Sequence, residues 1–296
     1  MNPPNHTATD APPVTHKPLD EEIDIYGLTH PGKVRKRNQD HFLIASLRKR
    51  IDVRQTSLPD LARLPVGEER IAFLVMVADG VGGGVGGEEA SRYALEQATH
   101  YVTESLRCYY ASDARDEAFR DLLQEAALRS HAGLLERAEK DPELRGMATT
   151  LTLLLGVWPW IYLLQVGDSR YYLFREGRLT QVSRDQTMAQ ALLDQGVITR
   201  ADLDRSPWSH VLSSAIGGKQ TEPVVTRLQN DWRNVHLFCT DGLTKHVSDE
   251  RIVERLATMH SSRQACEALL QDALDGGGSD NVTIIVGRPV PKPTVC

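Results

Sequence analysis

The sequence predicts an α/β (α+β) sandwich, two stacked and mainly antiparallel β-sheets flanked by α-helices. Three observations lead there. Apolar runs at Thr149 to Val157, Ile161 to Val166 and Arg170 to Arg175 follow one another through short turns. Helical periodicity comes in clusters, with Glu88 to Leu106 next to a second stretch from about Asp113 to Lys140. Adjacent strands joined by turns, with helices grouped apart, are the pattern of antiparallel sheets covered by helices rather than of alternating βαβ units.

Residues 1–20 are rich in Pro, Thr and polar groups with almost nothing to bury, which predicts a disordered leader. Ile23 to Thr29 and His41 to Leu47 read as strands on either side of the basic, turn-forming segment HPGKVRKRNQD. Arg48 to Glu69, with mixed charge and two prolines, reads as a hairpin loop. Ile71 to Val77 is a continuous apolar run and predicts a buried central strand. The two long helices follow, with Phe119, Leu122, Leu123 and Ala126 on one core face, and Asp141-Pro142 marks the break. Beyond Arg175 the strand run closes at Glu176-Gly177. Met188 to Gly196 has helical character, and Thr199 to Gly218 is rich in turns. Val235 to Thr240 and Val282 to Gly287 are strands, with helices at Asp249 to Leu256 and Arg263 to Leu274 between them. One domain over 21–288 follows, with a proline-bearing tail at 289–296.

The central strand ends in Asp79-Gly80, and six of the eight residues from Gly80 to Gly87 are glycine before Glu88 opens a helix. Three readings fit this stretch alone. A carboxylate beside backbone without side chains can hold a cation. Gly82, Gly84 and Gly87 also satisfy the dinucleotide pattern G-x-G-x-x-G, and a flexible turn with a solvated Asp is the plainest alternative. There is no G-K-[ST], which excludes a Walker loop.

The chain has 296 residues, 41% hydrophobic and 25% charged, in the range of soluble globular proteins. A formal net charge of -6 gives no reason to expect nucleic acid as a partner. No apolar run spans a membrane, and the N-terminus has no signal-peptide pattern, so no membrane partner is expected. Four scattered cysteines, Cys108, Cys239, Cys266 and Cys296, form no C-x-x-C pair and suit a reducing, cytoplasmic setting.

One grammar recurs along the chain. Asp79-Gly80 and Asp241-Gly242 each end an apolar strand, and Asp280-Asn281 opens one after a glycine run. Gly167-Asp168-Ser169 lies between two strands, and Gln39-Asp40 leads into another. Any one of these acids serves as a turn former. Together, if their strand ends converge, they repel one another unless cations neutralise them. Oxygen donors without nearby His or Cys select hard ions such as Mg²⁺ or Mn²⁺.

The segments GKVRKRNQD, VADGVGG, GMATT, VGDSRYYLFREGRLTQVSRDQT, LSSAIGG, LFCTDGL and GGGSDNVTIIV, in this order over about residues 24–287, resemble the metal-dependent protein phosphatases of the 2C type in their bacterial form. The resemblance implies two Mn²⁺ or Mg²⁺ ions, with Asp79 bridging them, the Gly80 carbonyl as a further ligand, and Asp241 and Asp280 as the other direct ligands. It implies that Asp40 holds coordinated water in the metal shell beside Gln39. Arg35 matches the arginine that binds substrate phosphate, a task suited to a planar guanidinium. Lys36 and Arg37 read as solvated charges, Thr149 and Thr150 as structural, and Asp168 as an organiser of turns. The implied chemistry is hydrolysis of phosphoserine or phosphothreonine by a metal-activated water, opposing a bacterial Ser/Thr kinase, in a monomer acting on phosphorylated proteins. Cys108, Cys239 and Cys266 lack an Arg six residues on, so a cysteine phosphatase is excluded.

Several positions depart from the family pattern. Gln39 stands where many relatives carry Glu, Val81 and Gly84 where many carry His, Gln186 for His and Ala148 for Gly. A histidine general acid is therefore not expected from the Asp-Gly loop. Arg145 occupies the place next to which some bacterial relatives bind a third metal, and none is expected here. Residues 188–215, with Trp208, are expected to form a flap beside the site. The alternative from another class is a non-catalytic pseudophosphatase that binds phosphoproteins.

Overall fold

The structure, a computed structural model, describes residues 16–50, 52–57, 68–82, 85–109, 116–203 and 205–292. The first fifteen residues of the expected leader, half of the expected hairpin loop and the last four residues of the tail lie outside the described residues. Leader residues 16–20 pack on the domain: the Trp232 indole Nε1 donates to the His16 carbonyl at 2.9 Å, and Pro18 is buried.

The chain opens with β1 (Ile23–His30), β2 (Asp40–Lys49) and β3 (Glu69–Val81), followed by α1 (Gly86–Tyr109) and α2 (Asp116–Lys140). Five strands come next: β4 (Ala148–Thr149), β5 (Leu151–Val157), β6 (Trp160–Val166), β7 (Arg170–Arg175) and β8 (Arg178–Gln181). Then follow α3 (Met188–Asp194), β9 (Val224–Gln229), β10 (Val235–Cys239), α4 (Asp241–Thr244), α5 (Asp249–Ala257), α6 (Ser262–Asp275) and β11 (Val282–Pro289). Among the described residues these strands make two antiparallel sheets. One has the order β1-β11-β10-β7-β8; the other runs β2-β3-β5-β6-β9, with β4 attached to β3.

Strand periodicity explains the layering. Ala72, Leu74, Met76 and Ala78 of β3 face α1 and α2, packing with Ala90, Ala94, Ala98, Leu122 and Leu123. Val75 and Val77 point the other way, into the layer between the sheets, with Leu154, Leu163, Phe238 and Ile285. Because β3 is covered on both faces, its sequence reads as an unbroken apolar run rather than an alternation. The other sheet is covered by α4 to α6, where Ile252, Leu256, Cys266 and Leu269 meet Leu237, Ile284 and Val286. Each such large side chain fully buried contributes roughly 1.5–3 kcal/mol. No described helix is long and apolar enough to cross a membrane.

Two strands and one helix escape the sequence reading. β9 is an edge strand pairing with β6 alone, with both ends exposed, so its pattern carries little contrast. β8 has four residues and α4 is one turn, too short to show a period.

His236 of β10 sits in the inter-sheet layer, its Nδ1 2.8 Å from the Tyr171 hydroxyl. Burial pulls its pKa from 6.5 down to about 4, so the folded protein keeps it neutral. The unfolded chain takes up a proton first as pH falls, and stability is lost between about pH 6.5 and 4. The melting-temperature drop from pH 7.5 to 4.5 is expected to be smaller in His236→Phe than in wild type, a difference of roughly 2 kcal/mol. Parallel drops in the two proteins would show that His236 is protonated equally in both states.

Candidate metal centre

All five acids singled out in the sequence lie at one end of the sandwich. In the antiparallel ladder Asp40, the first residue of β2, pairs with Asp79 near the end of β3. Asp241 opens α4 directly after β10, and Asp280 precedes β11, which pairs with β10. Asp168 lies in the turn between β6 and β7. Each strand alone turns an Asp toward the end of the sheet, and the topology brings those ends together.

Asp79 and Gly80 do not lie in a turn. β3 continues through both, and Gly80 pairs with Thr149 of β4. A Cβ on Gly80 would come within 2.1 Å of the Gly87 carbonyl oxygen, and one on Gly242 within 1.9 Å of that of Asn281. The repeated Asp-Gly therefore reflects close backbone approach next to each acid. Thr150 fixes Asp79: its hydroxyl accepts from the Asp79 amide at 2.9 Å, and its own amide donates to the Asp79 carbonyl at 2.9 Å.

Asn281 anchors the segment carrying Arg35. Its Oδ1 accepts from the Gln39 amide at 2.8 Å, and its Nδ2 donates to the carbonyls of Pro31 and Arg37 at 3.0 and 2.9 Å. Gln39 is further held through its carbonyl, which accepts from Ser91 Oγ at 2.5 Å, and His41 Nδ1 lies 2.9 Å from the same hydroxyl.

Asp40 is 3% exposed. Its Oδ2 accepts from the hydroxyls of Thr240 and Thr283 at 2.9 and 2.8 Å, while Oδ1 is buried with no hydrogen-bond partner. Asp241 Oδ1 is likewise buried and unpartnered. Burial, opposed by these hydroxyls and reinforced by Asp241 and Asp280, pushes the Asp40 carboxyl up to about 7. Burial also holds Asp79 well above the usual aspartate range, with Asp40, Asp241, Asp168 and Asp280 adding repulsion. Burial and Asp241 push Asp168 up to about 8. Burial would raise Asp280 too, but Arg35 and Lys245 outweigh it and hold it below its ordinary value.

Two cations already serve this cluster. Arg35 meets Asp280 with two parallel bonds, Nε to Oδ1 at 2.8 Å and Nη2 to Oδ2 at 2.9 Å. The Lys245 ammonium lies between Asp241 Oδ2 at 2.6 Å and Asp280 Oδ2 at 2.9 Å. With those side chains turned to Arg35 and Lys245, no three acids among the described residues close on one point. The donor set nonetheless fits hard divalent cations: oxygens only, two of them buried without a partner, and an ammonium bridging two of the acids. Lys245 was not legible as a site residue. Its only signal is the i, i+4 spacing from Asp241 on a one-turn helix.

Asp168, read from sequence as a turn organiser, lines a polar recess of about 380 Å³ together with Asp241, Lys245, Arg170, Asp185 and His210. Residues of the expected flap form one wall of it. Gln186 ties that wall to the core: its Oε1 accepts from the Gly167 amide at 2.7 Å, and its Nε2 donates to the Glu222 carbonyl at 2.9 Å. Trp208 is half exposed (51%). Of the sequence-identified residues, Arg35, Gln39, Asp40, Asp79, Gly80, Asp241 and Asp280 all lie at this pole, but Arg35 faces a carboxylate of the cluster.

A family model described as protein phosphatase 2C matches residues 60–276. The serine/threonine protein phosphatase PstP of Mycobacterium tuberculosis is 37% identical over 222 residues, covering 74% of this chain but only 41% of that protein. The serine/threonine phosphatase stp of Listeria innocua is 28% identical over 216 residues, covering 72% and 83% of the two chains. The crystal structure of the Mycobacterium tuberculosis phosphatase PstP/Ppp superposes with a TM-score of 0.73 at 30% identity, covering 91% of this chain and 99% of that one. The PstP catalytic domain in complex with two manganese ions gives 0.67 at 29% identity, covering 91% and 99%. By sequence and by fold the chain belongs to the protein phosphatase 2C family.

Proposed function

We propose that the chain is a metal-dependent serine/threonine protein phosphatase, and that Asp79, the Gly80 carbonyl, Asp241 and Asp280 hold two Mn²⁺ or Mg²⁺ ions. The supporting observation is the gathering of mutually repelling carboxylates at one pole, Asp40 buried and the other four partly so, two of them with buried, unpartnered oxygens. Asp40 and Gln39 act through water beside the ions. When bound, the ions supply Lewis acidity that makes water nucleophilic at neutral pH and neutralises charge on the phosphoryl group.

The protein's own part is positioning and electrostatics. Thr150, Thr240 and Thr283 fix the carboxylates of the cluster and the backbone beside them. Arg35 leaves Asp280 to meet phosphate oxygens with the same two-pronged geometry it now gives a carboxylate. Val81 and the glycines after it offer no side-chain proton donor, so the leaving hydroxyl would take its proton from water or from a residue outside this loop. Arg35→Ala is expected to raise KM about tenfold, roughly 1.4 kcal/mol of lost phosphate binding, with a smaller fall in kcat. A KM that does not move removes Arg35 from the substrate site.

The proposed setting is bacterial signalling: a cytoplasmic monomer resetting proteins phosphorylated by a Ser/Thr kinase. The bacterial relatives and the two free, buried cysteines Cys239 and Cys266 support it. The deciding assay is phosphate release from a phosphothreonine peptide with Mn²⁺, with Mg²⁺, and after chelation. Release with metal and none after chelation is expected. Peptide binding with no release under any metal condition would make the chain a pseudophosphatase.

A further inference from the structure

At the opposite end of the strands the inter-sheet layer is not filled. Alternation from Leu154 and Ile285 turns Gly156 of β5 and Gly287 of β11 into that layer, where neither supplies a side chain. A Cβ on Gly156 would meet Leu154 and Phe73 only at 3.5 Å, an ordinary contact, so this glycine is not required by a close approach. The result is a cavity of about 110 Å³ walled by Ile25, Val75, Leu154, Ile161, Phe238 and Ile285. An apolar cavity of ~150 Å³ stays dry and admits a benzene-sized molecule, which sets the scale.

Its mouth has a different character. The charged side chains lining it are Lys17, Arg70 and Arg288; their partners Glu69, Asp20 and Asp24 stand outside the lining. The Arg70 side chain is 9% exposed. Its Nη2 donates to the Pro18 carbonyl, but Nη1, although 3.1 Å from Asp20 Oδ1, is buried without a hydrogen bond. Burial pulls the Arg70 guanidinium below its ordinary range, with Asp20 opposing and Arg48 adding to the shift. Residues 16–18 lie across this end, held by Trp232 to the His16 carbonyl and by Lys17 to the Arg70 carbonyl.

We propose that this far pole is a binding site for a small monocarboxylate with an apolar body of about benzene size, the body in the inter-sheet cavity and the carboxylate on Arg70. A planar carboxylate suits a guanidinium edge, here one whose Nη1 is ion-paired with Asp20 but makes no hydrogen bond, and the walls are mostly apolar, with His236 and Asn230 among the polar members of the lining. The site is independent of the metal centre. Val75, Phe238 and Ile285 lie on β3, β10 and β11, the strands that carry or adjoin Asp79, Asp241 and Asp280 at the other end, so the two sites share strands without sharing residues.

Isothermal titration and ligand-observed NMR with benzoate, hexanoate, dodecanoate and uncharged toluene test this in wild type, Gly156→Val and Arg70→Met. Benzoate and hexanoate are expected to bind once per chain, with dodecanoate weaker. Gly156→Val, which fills the cavity, should weaken both at least tenfold. Arg70→Met should weaken the carboxylates about tenfold and leave toluene unchanged. Absence of saturable binding to wild type, or binding undiminished by Gly156→Val, overturns the site. Toluene binding wild type as tightly as benzoate overturns the carboxylate assignment. Should circular dichroism show Gly156→Val unfolded, Gly156→Ala takes its place with a several-fold weakening expected, since its methyl meets only ordinary contacts.

Discussion

Asp79→Asn is expected to lower kcat by a thousandfold or more while raising the melting temperature of the metal-free protein. The two effects share one cause. Asp79 is half-buried at the end of a central strand, and four other aspartates add repulsion to the desolvation of its charge. Without metal that charge is a liability, and an amide of the same shape relieves it while the Thr150 bonds to the Asp79 backbone remain. A gain of a few °C is the scale for a domain of this size. With Mn²⁺ the sign reverses. Wild type should gain stability in proportion to RT ln(1 + [Mn²⁺]/Kd), whereas the variant, lacking a carboxylate proposed to hold the ions, should gain little. A loss of ~4 kcal/mol in transition-state stabilisation corresponds to the thousandfold fall. The checks are phosphopeptide turnover and thermal melts of both proteins with and without Mn²⁺. Retained turnover together with a full Mn²⁺-induced shift would remove Asp79 from the metal centre.

The strand ends carrying these acids were legible because burial leaves a strong local signature. An apolar run such as Ile71 to Val77 announces a covered strand, and an acid at its end stands out against it. Convergence was not legible from spacing. Asp40 and Asp241 are linked through Thr240 by a hydrogen bond spanning 200 residues, which exists only because the two sheets stack. It came instead from resemblance to a known family. What the sequence concealed are residues whose role exists only in three dimensions: Asn281 as the clamp on the Pro31 to Gln39 segment, Asp168 as a wall of the recess, and Lys245 between two acids. The Asp-Gly pairs were half read. Each glycine is needed, but for close approach of backbone rather than for turning.

Lys245→Met is expected to tighten Mn²⁺ binding about thirtyfold and to lower the stability of the metal-free protein. The ammonium takes one oxygen from Asp241 and one from Asp280, the acids that a divalent ion would also use. Burial works against its charge, but those two carboxylates outweigh it and hold the Lys245 pKa above its ordinary value. A charge-assisted hydrogen bond contributes roughly 1.5–3 kcal/mol, and partial exposure of all three groups reduces what two of them contribute together. A net competition of ~2 kcal/mol gives the thirtyfold change. Methionine keeps the length and apolar stem of lysine, so the packing of α4 is preserved while the competing cation is removed. In the metal-free variant Asp241 and Asp280 lose their shared partner and only Arg35 remains to neutralise Asp280. Apo stability should therefore fall as metal affinity rises, and excess Mn²⁺ should restore it. Calorimetric titration with Mn²⁺ reads the first effect and thermal melts the second. An unchanged Mn²⁺ affinity would mean that Lys245 never occupies the place of an ion, and that Asp241 and Asp280 meet metal through other oxygens than those it now holds.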